Sequence, residues 1–366
     1  MKILENQVLE ALRKVKYPGK DQDIVSMNLV SDIQIEENKL TFSLTFERSN
    51  DPVISSVRKA CVKAIQKYLG KDVEIEGNIQ IKARQLIAAD RILPDVKNII
   101  AIASGKGGVG KSTVAVNLAV ATARLGYEVG LIDADIFGPS IPKMMNAENQ
   151  RPSVVVEDGK DLMIPVQSYG VHLLSIGFFV DPEDAVVWRG PMATGALKQF
   201  IGQTKWGELD YLFVDLPPGT SDIHLTMVQE VPVTGAVVVT TPQRVALADA
   251  LKGINMFRSD KIKVPVIGLV ENMAWFTPEE LPDHKYYIFG KDGGIELAAK
   301  LDVPLLGQIP IVQGICEGGD KGKPIVLDSG SQVAGAFEEL AKNVIRETDR
   351  RNADLPPTRI VEITQK

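Results

Sequence analysis

Residues 104–113 read SGKGGVGKST, and several of them have the types and spacing that phosphate chemistry needs. Gly105, Gly110, Lys111 and Ser112 meet the pattern G-x-x-x-x-G-K-[ST]. In that pattern backbone N–H groups cradle phosphates, the lysine reaches the β- and γ-phosphates, and the hydroxyl ligates Mg²⁺. The run Gly105, Lys106, Gly107, Gly108, Val109, Gly110, Lys111, Ser112, Thr113 is therefore the expected nucleotide cradle. Lys106 is a second cation that the pattern does not require.

Two further stretches supply acids. In "VGLIDADIFGPS" Asp133 and Asp135 lie two apart, which in a strand puts them on one face. Where the chain leaves the strand, both can reach a crevice beyond the strand's carboxyl end. Asp135 is placed to orient an attacking water and Asp133 to support Mg²⁺ through bound water; a pair of turn or helix-capping aspartates remains open at this point. In "YLFVDLPPGTSD" Asp215 ends an apolar run and is the expected Mg²⁺-side carboxylate. Gly219 in the loop beyond it can offer its N–H to a γ-phosphate. A loop that holds that phosphate must rearrange when the phosphate leaves.

These residues need a sheet to position them. Near-continuous apolar runs at 98–103, 128–132, 211–215, 235–241, 264–270 and 304–308 alternate with helical segments. Such strands imply a parallel sheet covered on both faces, so the fold class is α/β. "VVVEDGKDLMIPVQSYGVHLLSIG" interrupts the series with hairpin-like alternation around Asp158-Gly159, and a helix near 331–350 closes it. Residues 1–84 read as a separate small α+β domain of order αββαβ, with helices at "ILENQVLEALRKV" and "DPVISSVRKACVKAIQKYLG" and strands at "IVSMNLVSDIQI", "KLTFSLTFE" and "DVEIEGNIQI". Residues 85–97 read as a connector, 98–350 as the phosphate-loop domain, and 351–366 as a proline-interrupted tail.

Together these motifs resemble the deviant Walker A ATPases, a group that includes the nitrogenase iron protein, septum-site and chromosome-partition ATPases and Mrp-type iron–sulfur carriers. The resemblance implies a homodimer that binds ATP and Mg²⁺, with Lys106 reaching the partner's nucleotide. A second cation there stabilises charge on the transferring phosphoryl group as an arginine finger does. It narrows to the Mrp/ApbC type through "DADIFGPSIP", "VWRGPM" at 187–192, "DLPPGTSD", "VTTPQ" at 239–243, "VENM" at 270–273, "YYIFG" at 286–290 and "GDKGKPIV" at 319–326. The small N-terminal domain is similar to one shared with iron–sulfur assembly factors. By this resemblance Asn272 reads adenine, "QIP" ending at Pro310 lies beside the base, and clusters pass to apoprotein clients.

The chain departs from that type at its thiols. Mrp-type carriers usually hold a bridging cluster on a C-x-x-C between the "VENM" and "YYIFG" blocks, where this sequence reads "AWFTPEELPDHK". The N-terminal domain's usual cysteine, near "FERSNDP", is missing as well. Clusters are commonly held by four thiolates, and this chain has two cysteines, Cys61 and Cys316. Cys316, shortly after "QIP" in a glycine-rich stretch, is the better candidate iron–sulfur ligand. His284, Asp283, Glu279 and Glu280 lie in the altered interval. A free cysteine is most often a small buried hydrophobe, the commoner reading for both Cys61 and Cys316, and His284 reads more readily as a solvated loop residue than as a ligand.

Composition bounds the rest. With 366 residues, 45% hydrophobic and 24% charged, the chain reads as an ordinary globular protein of about two domains. No apolar run approaches a membrane span, no signal peptide is evident, and two cysteines suggest a reducing compartment, so a cytoplasmic location is expected. A net charge of −6 without clustered Lys/Arg speaks against DNA, and the tail supplies no basic amphipathic helix for a membrane. Two functional readings stand: an Mg²⁺-dependent ATPase that carries iron–sulfur clusters, which the resemblance implies, and a metal-free ATP-dependent scaffold for protein clients, which the missing cysteines favour.

Overall fold

The computed structural model describes the chain except for residues 1–4, 19–21, 28, 37–38, 47–52, 71, 76, 84–92, 136–137, 158, 180–189, 221, 261, 279, 282–283 and 359–366. The helix start expected at Asp51-Pro52, most of the connector, part of "VWRGPM", Glu279 and Asp283 therefore lie outside the described residues. The chain divides into two compact units, Met1–Arg91 and Ile92–Lys366.

In the first unit the order is α1 (Glu5–Leu12), β1 (Val30–Glu36), β2 (Lys39–Phe46), α2 (Ile54–Leu69) and β3 (Ile79–Ala83). β1 pairs antiparallel with β2, and β2 pairs parallel with β3 across the α2 crossover. Helical spacing along α2 buries Val57, Cys61, Ala64 and Ile65, which join Val8, Leu12, Phe42 and Leu44 in one core. The strand anticipated from Ile24 starts later, at Val30, for a local reason. The Asp23 carboxylate accepts from the Val25 and Ser26 amides and from the Ser26 hydroxyl, at 3.0, 2.8 and 2.6 Å. An aspartate that captures amides just beyond itself makes a turn.

The second unit runs β4 (Val96–Ser104), α3 (Lys111–Arg124), β5 (Val129–Asp133), α4 (Ile141–Met144), β6 (Ser153–Glu157), β7 (Lys160–Ile164), β8 (Val166–Ser168), β9 (Val171–Ser175), α5 (Gly190–Gly202), β10 (Leu209–Asp215) and α6 (Asp222–Glu230). It continues with β11 (Gly235–Thr240), α7 (Arg244–Arg258), β12 (Val266–Phe276), α8 (Gly293–Leu301), β13 (Leu305–Ile311), α9 (Gln313–Asp320) and α10 (Gln332–Asp354). Eight strands form one sheet in the order β13-β12-β11-β4-β10-β5-β9-β8, parallel except for β8. Alternate strand residues pack on opposite faces. Ile100, Ile102, Leu131 and Phe213 share a core with α3 and α10, while Ile99, Ala101, Ile132 and Val214 share another with α5 and α6.

The stretch expected to interrupt the sheet does so only in part. β6 and β7 form a separate hairpin, but β8 and β9 extend the main sheet, β9 lying parallel to β5. Tyr169 (φ +50°) and Gly170 (φ +78°) make the two-residue turn between them, the left-handed pair that matches strand twist.

The core of the first unit yields a test. Cys61 is fully buried, and burial pushes its thiol from an ordinary 9.0 up to about 12, whereas Cys316 is exposed. A maleimide at pH 7.5 should therefore modify Cys316 alone in the native protein and both thiols after denaturation. The cost of ionising Cys61 also implies that this unit loses stability as pH rises from about 9 towards 12. Mass spectrometry of the labelled protein checks the first point; rapid native labelling of Cys61 would refute the packing.

Candidate nucleotide-binding site

β4 ends on Ser104, and the loop from Gly105 to Gly110 leads straight into α3, so the backbone N–H groups at its start face the carboxyl end of the sheet. That arrangement favours anions. Two glycines are sterically required. A Cβ on Gly105 would lie 2.1 Å from the Asp249 carbonyl carbon of α7, and one on Gly110 would lie 2.2 Å from Asn272 Nδ2. Gly110 is also left-handed, at φ +80°, a region that costs other residues strain.

Strand register assembles the acids. Asp215 on β10 is the Cα partner of Asp133 on β5, and Asp133 is the partner of Ser175 on β9. All three fall on one row and on the α3 face. Lys111 Nζ donates to Asp215 Oδ1 at 2.7 Å and lies 3.7 Å from Asp135 Oδ2. Ser112 Oγ donates to Asp215 Oδ2 at 2.6 Å. Asp133 accepts from Ser175 Oγ at 2.8 Å and from the Asp135 amide at 3.1 Å. Asp133 and Asp215 are buried. Burial first, and then the charge of Asp215, push Asp133 up to about 7 against the opposing Ser175 bond and Lys111 charge. Burial likewise holds Asp215 above the usual carboxylate range, although Lys111 and Ser112 pull it down.

This donor set fits a hard cation. Mg²⁺ is held by oxygen, through one or two carboxylates plus water and substrate phosphates; the Ser112 hydroxyl bonds the Asp215 carboxylate, and Asp133 is the register neighbour of Asp215. Among the described residues no group of three or more His, Cys, Asp or Glu is arranged to hold a metal by itself.

The other anticipated residues are positioned as follows. Lys106 is half-buried, its carbonyl accepts from Ser104 Oγ at 3.0 Å, and it makes no ion pair among the described residues. The Gly219 amide, anticipated as a γ-phosphate donor, here donates to the Ser104 carbonyl at 2.8 Å. That bond must open for Gly219 to serve a phosphate. Asn272 Nδ2 donates to the Val109 carbonyl at 2.8 Å and so braces the loop from β12. Ile309 on β13 is the register partner of Asn272, and Pro310 follows it, half-buried. Cys316 lies on α9 with Sγ 3.9 Å from Asp320 Oδ2. His284 and Glu280 are exposed.

Two residues of the site were given no role by the sequence. Ser175 was visible only as one polar residue at the end of an alternating run. Glu271 is fully buried; it accepts from the Gly294 amide at the start of α8, and from Gln308 Nε2 at 2.6 Å. An acid inside "VIGLVENM" was the available signal, because a buried charge demands partners.

Comparison with known proteins agrees along most of the chain. Residues 95–345 match the family described as NUBPL iron-transfer P-loop NTPase, and residues 5–76 match an iron–sulfur cluster assembly protein family. The iron–sulfur cluster carrier protein of Aquifex aeolicus is 44% identical over 359 residues, covering 92% of this chain and 96% of that protein. The Escherichia coli K12 protein of the same description is 41% identical over 343 residues, covering 93% and 91%. Among solved structures, a nucleotide-binding protein of Archaeoglobus fulgidus in complex with ADP has a TM-score of 0.57 at 36% identity, covering 69% of this chain and 97% of its own. The cell division ATPase MinD of Pyrococcus furiosus has a TM-score of 0.51 at 25% identity, covering 68% and 98%.

The raised Asp133 carboxyl has a consequence for stability. Its folded value of about 7 exceeds the unfolded one, so the parent loses stability as pH climbs from about 4 to 7 and the loss persists above. Asp133→Asn removes that titration. The variant should be more stable than the parent at pH 8, by on the order of 1–3 kcal/mol, with the gap closing towards pH 4. Urea unfolding at pH 5 and pH 8 checks this; a gap independent of pH would contradict it.

Proposed function

The chain belongs to the NUBPL iron-transfer P-loop NTPase family, and from that premise we propose that it carries iron–sulfur clusters to apoproteins in a cycle of ATP binding and hydrolysis. The observation that carries this reading is coverage. Proteins described as cluster carriers align over more than nine-tenths of the chain, so the likeness embraces the assembly-type unit as well as the phosphate-loop unit. The carrier descriptions do not favour the metal-free scaffold. No described helix is long and apolar enough to cross a membrane. A cytoplasmic protein that does not bind DNA suits the net charge of −6 and the cysteine content, and the homodimer is the form that the deviant Walker A resemblance implies.

In the proposed cycle Lys111 and the loop amides from Gly105 to Thr113 hold the phosphates, with the Gly110 turn and the Asn272 brace fixing the loop. Ser112, Asp215 and Asp133 would hold Mg²⁺, which when bound would neutralise charge on the phosphate oxygens. Asp135 orients the attacking water. Gly219 exchanges the Ser104 carbonyl for the γ-phosphate and returns when that phosphate leaves, giving the loop two arrangements. Lys106, with no carboxylate partner among the described residues of its own chain, acts on the partner's nucleotide, as in the deviant Walker A arrangement. Asn272 and Pro310 flank the base. The cargo cluster takes its protein thiolate from Cys316, the exposed cysteine.

Two experiments test this. Lys111→Ala should abolish ATP binding, whereas Lys106→Ala should keep the affinity and lose turnover at least tenfold, as removal of a charge-stabilising finger does. Equal loss of binding in both would sink the action in trans. The second is anaerobic reconstitution with ferrous iron and sulfide, followed by mixing with a cysteine-ligated apoprotein. The parent should acquire visible cluster absorption and pass it on, Cys61→Ser should do likewise, and Cys316→Ser should not. A parent that binds neither iron nor sulfide would overturn the carrier reading.

A further inference from the structure

We propose that Ser175 is a positioning residue for the hydrolytic step, fixing Asp135 through Asp133. This inference rests on the reading above that Asp135 orients water and Asp133 stands on the Mg²⁺ side.

The argument begins with the strand that carries the serine. β9 enters the sheet through the tight Tyr169-Gly170 turn and runs parallel to β5, with Ser175 in register with Asp133. At that residue the strand stops and a single 3₁₀ turn, Ile176–Phe178, begins. Ser175 caps it, its Oγ accepting from the Gly177 amide at 3.0 Å. A hydroxyl has one proton to give. With an amide N–H directed at its oxygen, that proton goes to Asp133 Oδ2 at 2.8 Å.

The second oxygen of Asp133 accepts from the Asp135 amide at 3.1 Å. Both carboxylate oxygens are thus engaged, and the plane of the carboxylate is set between a strand end and the loop that follows β5. The chain of contacts is Gly177 N–H to Ser175 Oγ, Ser175 O–H to Asp133, and Asp135 N–H to Asp133. It ends 3.7 Å from Lys111 Nζ at the Asp135 carboxylate. Ser175 is fully buried, so water does not replace the hydroxyl when it is removed. Asp133 would then be free to turn, and the Asp135 backbone would lose its fixed acceptor. The chain of contacts meets the phosphate loop only at Lys111, and that lysine keeps its 2.7 Å bond to Asp215, so nucleotide affinity should survive.

The test uses the full chain at fixed Mg²⁺ and counts turnover per nucleotide-binding site, which removes any loss of folded protein. Ser175→Ala should lower turnover about tenfold, the scale of one positioning hydrogen bond to an ionisable group, while ATP affinity stays within about twofold. Ser175→Thr, which keeps the hydroxyl, should stay near the parent. A merely structural serine would lower the melting temperature and leave turnover per site unchanged. Parental turnover per site in Ser175→Ala, a proportional loss of ATP affinity, or a Thr variant as slow as the Ala variant would each overturn the proposal. If Ser175→Ala does not fold, Ser175→Cys, with a weaker donor, should show a smaller loss in the same direction, and a parental rate there overturns it equally. Asp135→Ala run in parallel separates the two levels. A parental rate in that variant overturns the water-orienting reading and this inference with it, whereas a parental rate in the Ser175 variants alone overturns only the role given to Ser175.

Discussion

A lysine and an aspartate bond to one another where water scarcely reaches. The Lys111 side chain is 6% exposed and Asp215 not at all, with 2.7 Å between them. Leaving either one buried alone would cost on the order of 3–5 kcal/mol, so the loop, the helix start and the end of β10 have to arrive together. The pair is also outnumbered. One ammonium faces Asp215, Asp135 and Asp133, and burial first, with the neighbouring carboxylates after it, makes the carboxyls of Asp133 and Asp215 hold their protons more tightly than usual. An excess of acid around one cation is poor for stability and well suited to a divalent ion carried in with a polyphosphate. The site is thus strained in its composition in the way that function requires.

Strand order turns this constraint into geometry. β4 and β5 are joined through α3, yet β10 lies between them. That insertion sets Asp215 beside Asp133, and the addition of β9 beyond β5 brings Ser175 to the same row. Residues far apart in sequence become neighbours because their strands end at one level. On the other side of β4, β12 returns Asn272 to the loop it braces.

Much of this was legible in the sequence, for identifiable reasons. Strands buried on both faces are continuous apolar runs, so β4, β5, β10, β11, β12 and β13 can be read directly, and the glycine–lysine spacing of the loop follows from what a phosphate needs. What could not be read is relational. β8 and β9 look like any hairpin, and only the pairing of β9 with β5 makes Ser175 part of the site. The delayed start of β1 depends on three hydrogen bonds to Asp23 that no periodicity encodes. Whether the Gly219 amide serves a carbonyl or a phosphate depends on the state of the loop rather than on residue type.

The segment 274–285, which replaces the anticipated thiolates, shows how far the chain can depart at that point and keep its fold. β12 runs on to Phe276, which pairs with Tyr286, and Lys285 Nζ sits 3.8 Å from the centroid of the Trp275 ring. A cation on an aromatic face stabilises a hairpin, but neither group ligates iron as a thiolate does. Cys61 belongs to a hydrophobic core and its thiol resists ionisation, which leaves Cys316 on α9 as the exposed sulfur. One exposed thiol per chain falls short of the usual four. Even paired copies need ligands from elsewhere, such as a small thiol or the client's own cysteines. A cluster held in that manner exchanges ligands readily, because the groups completing its coordination are not fixed by the fold. On the proposed reading, the same shortage favours release to a cysteine-rich apoprotein over storage of the cluster.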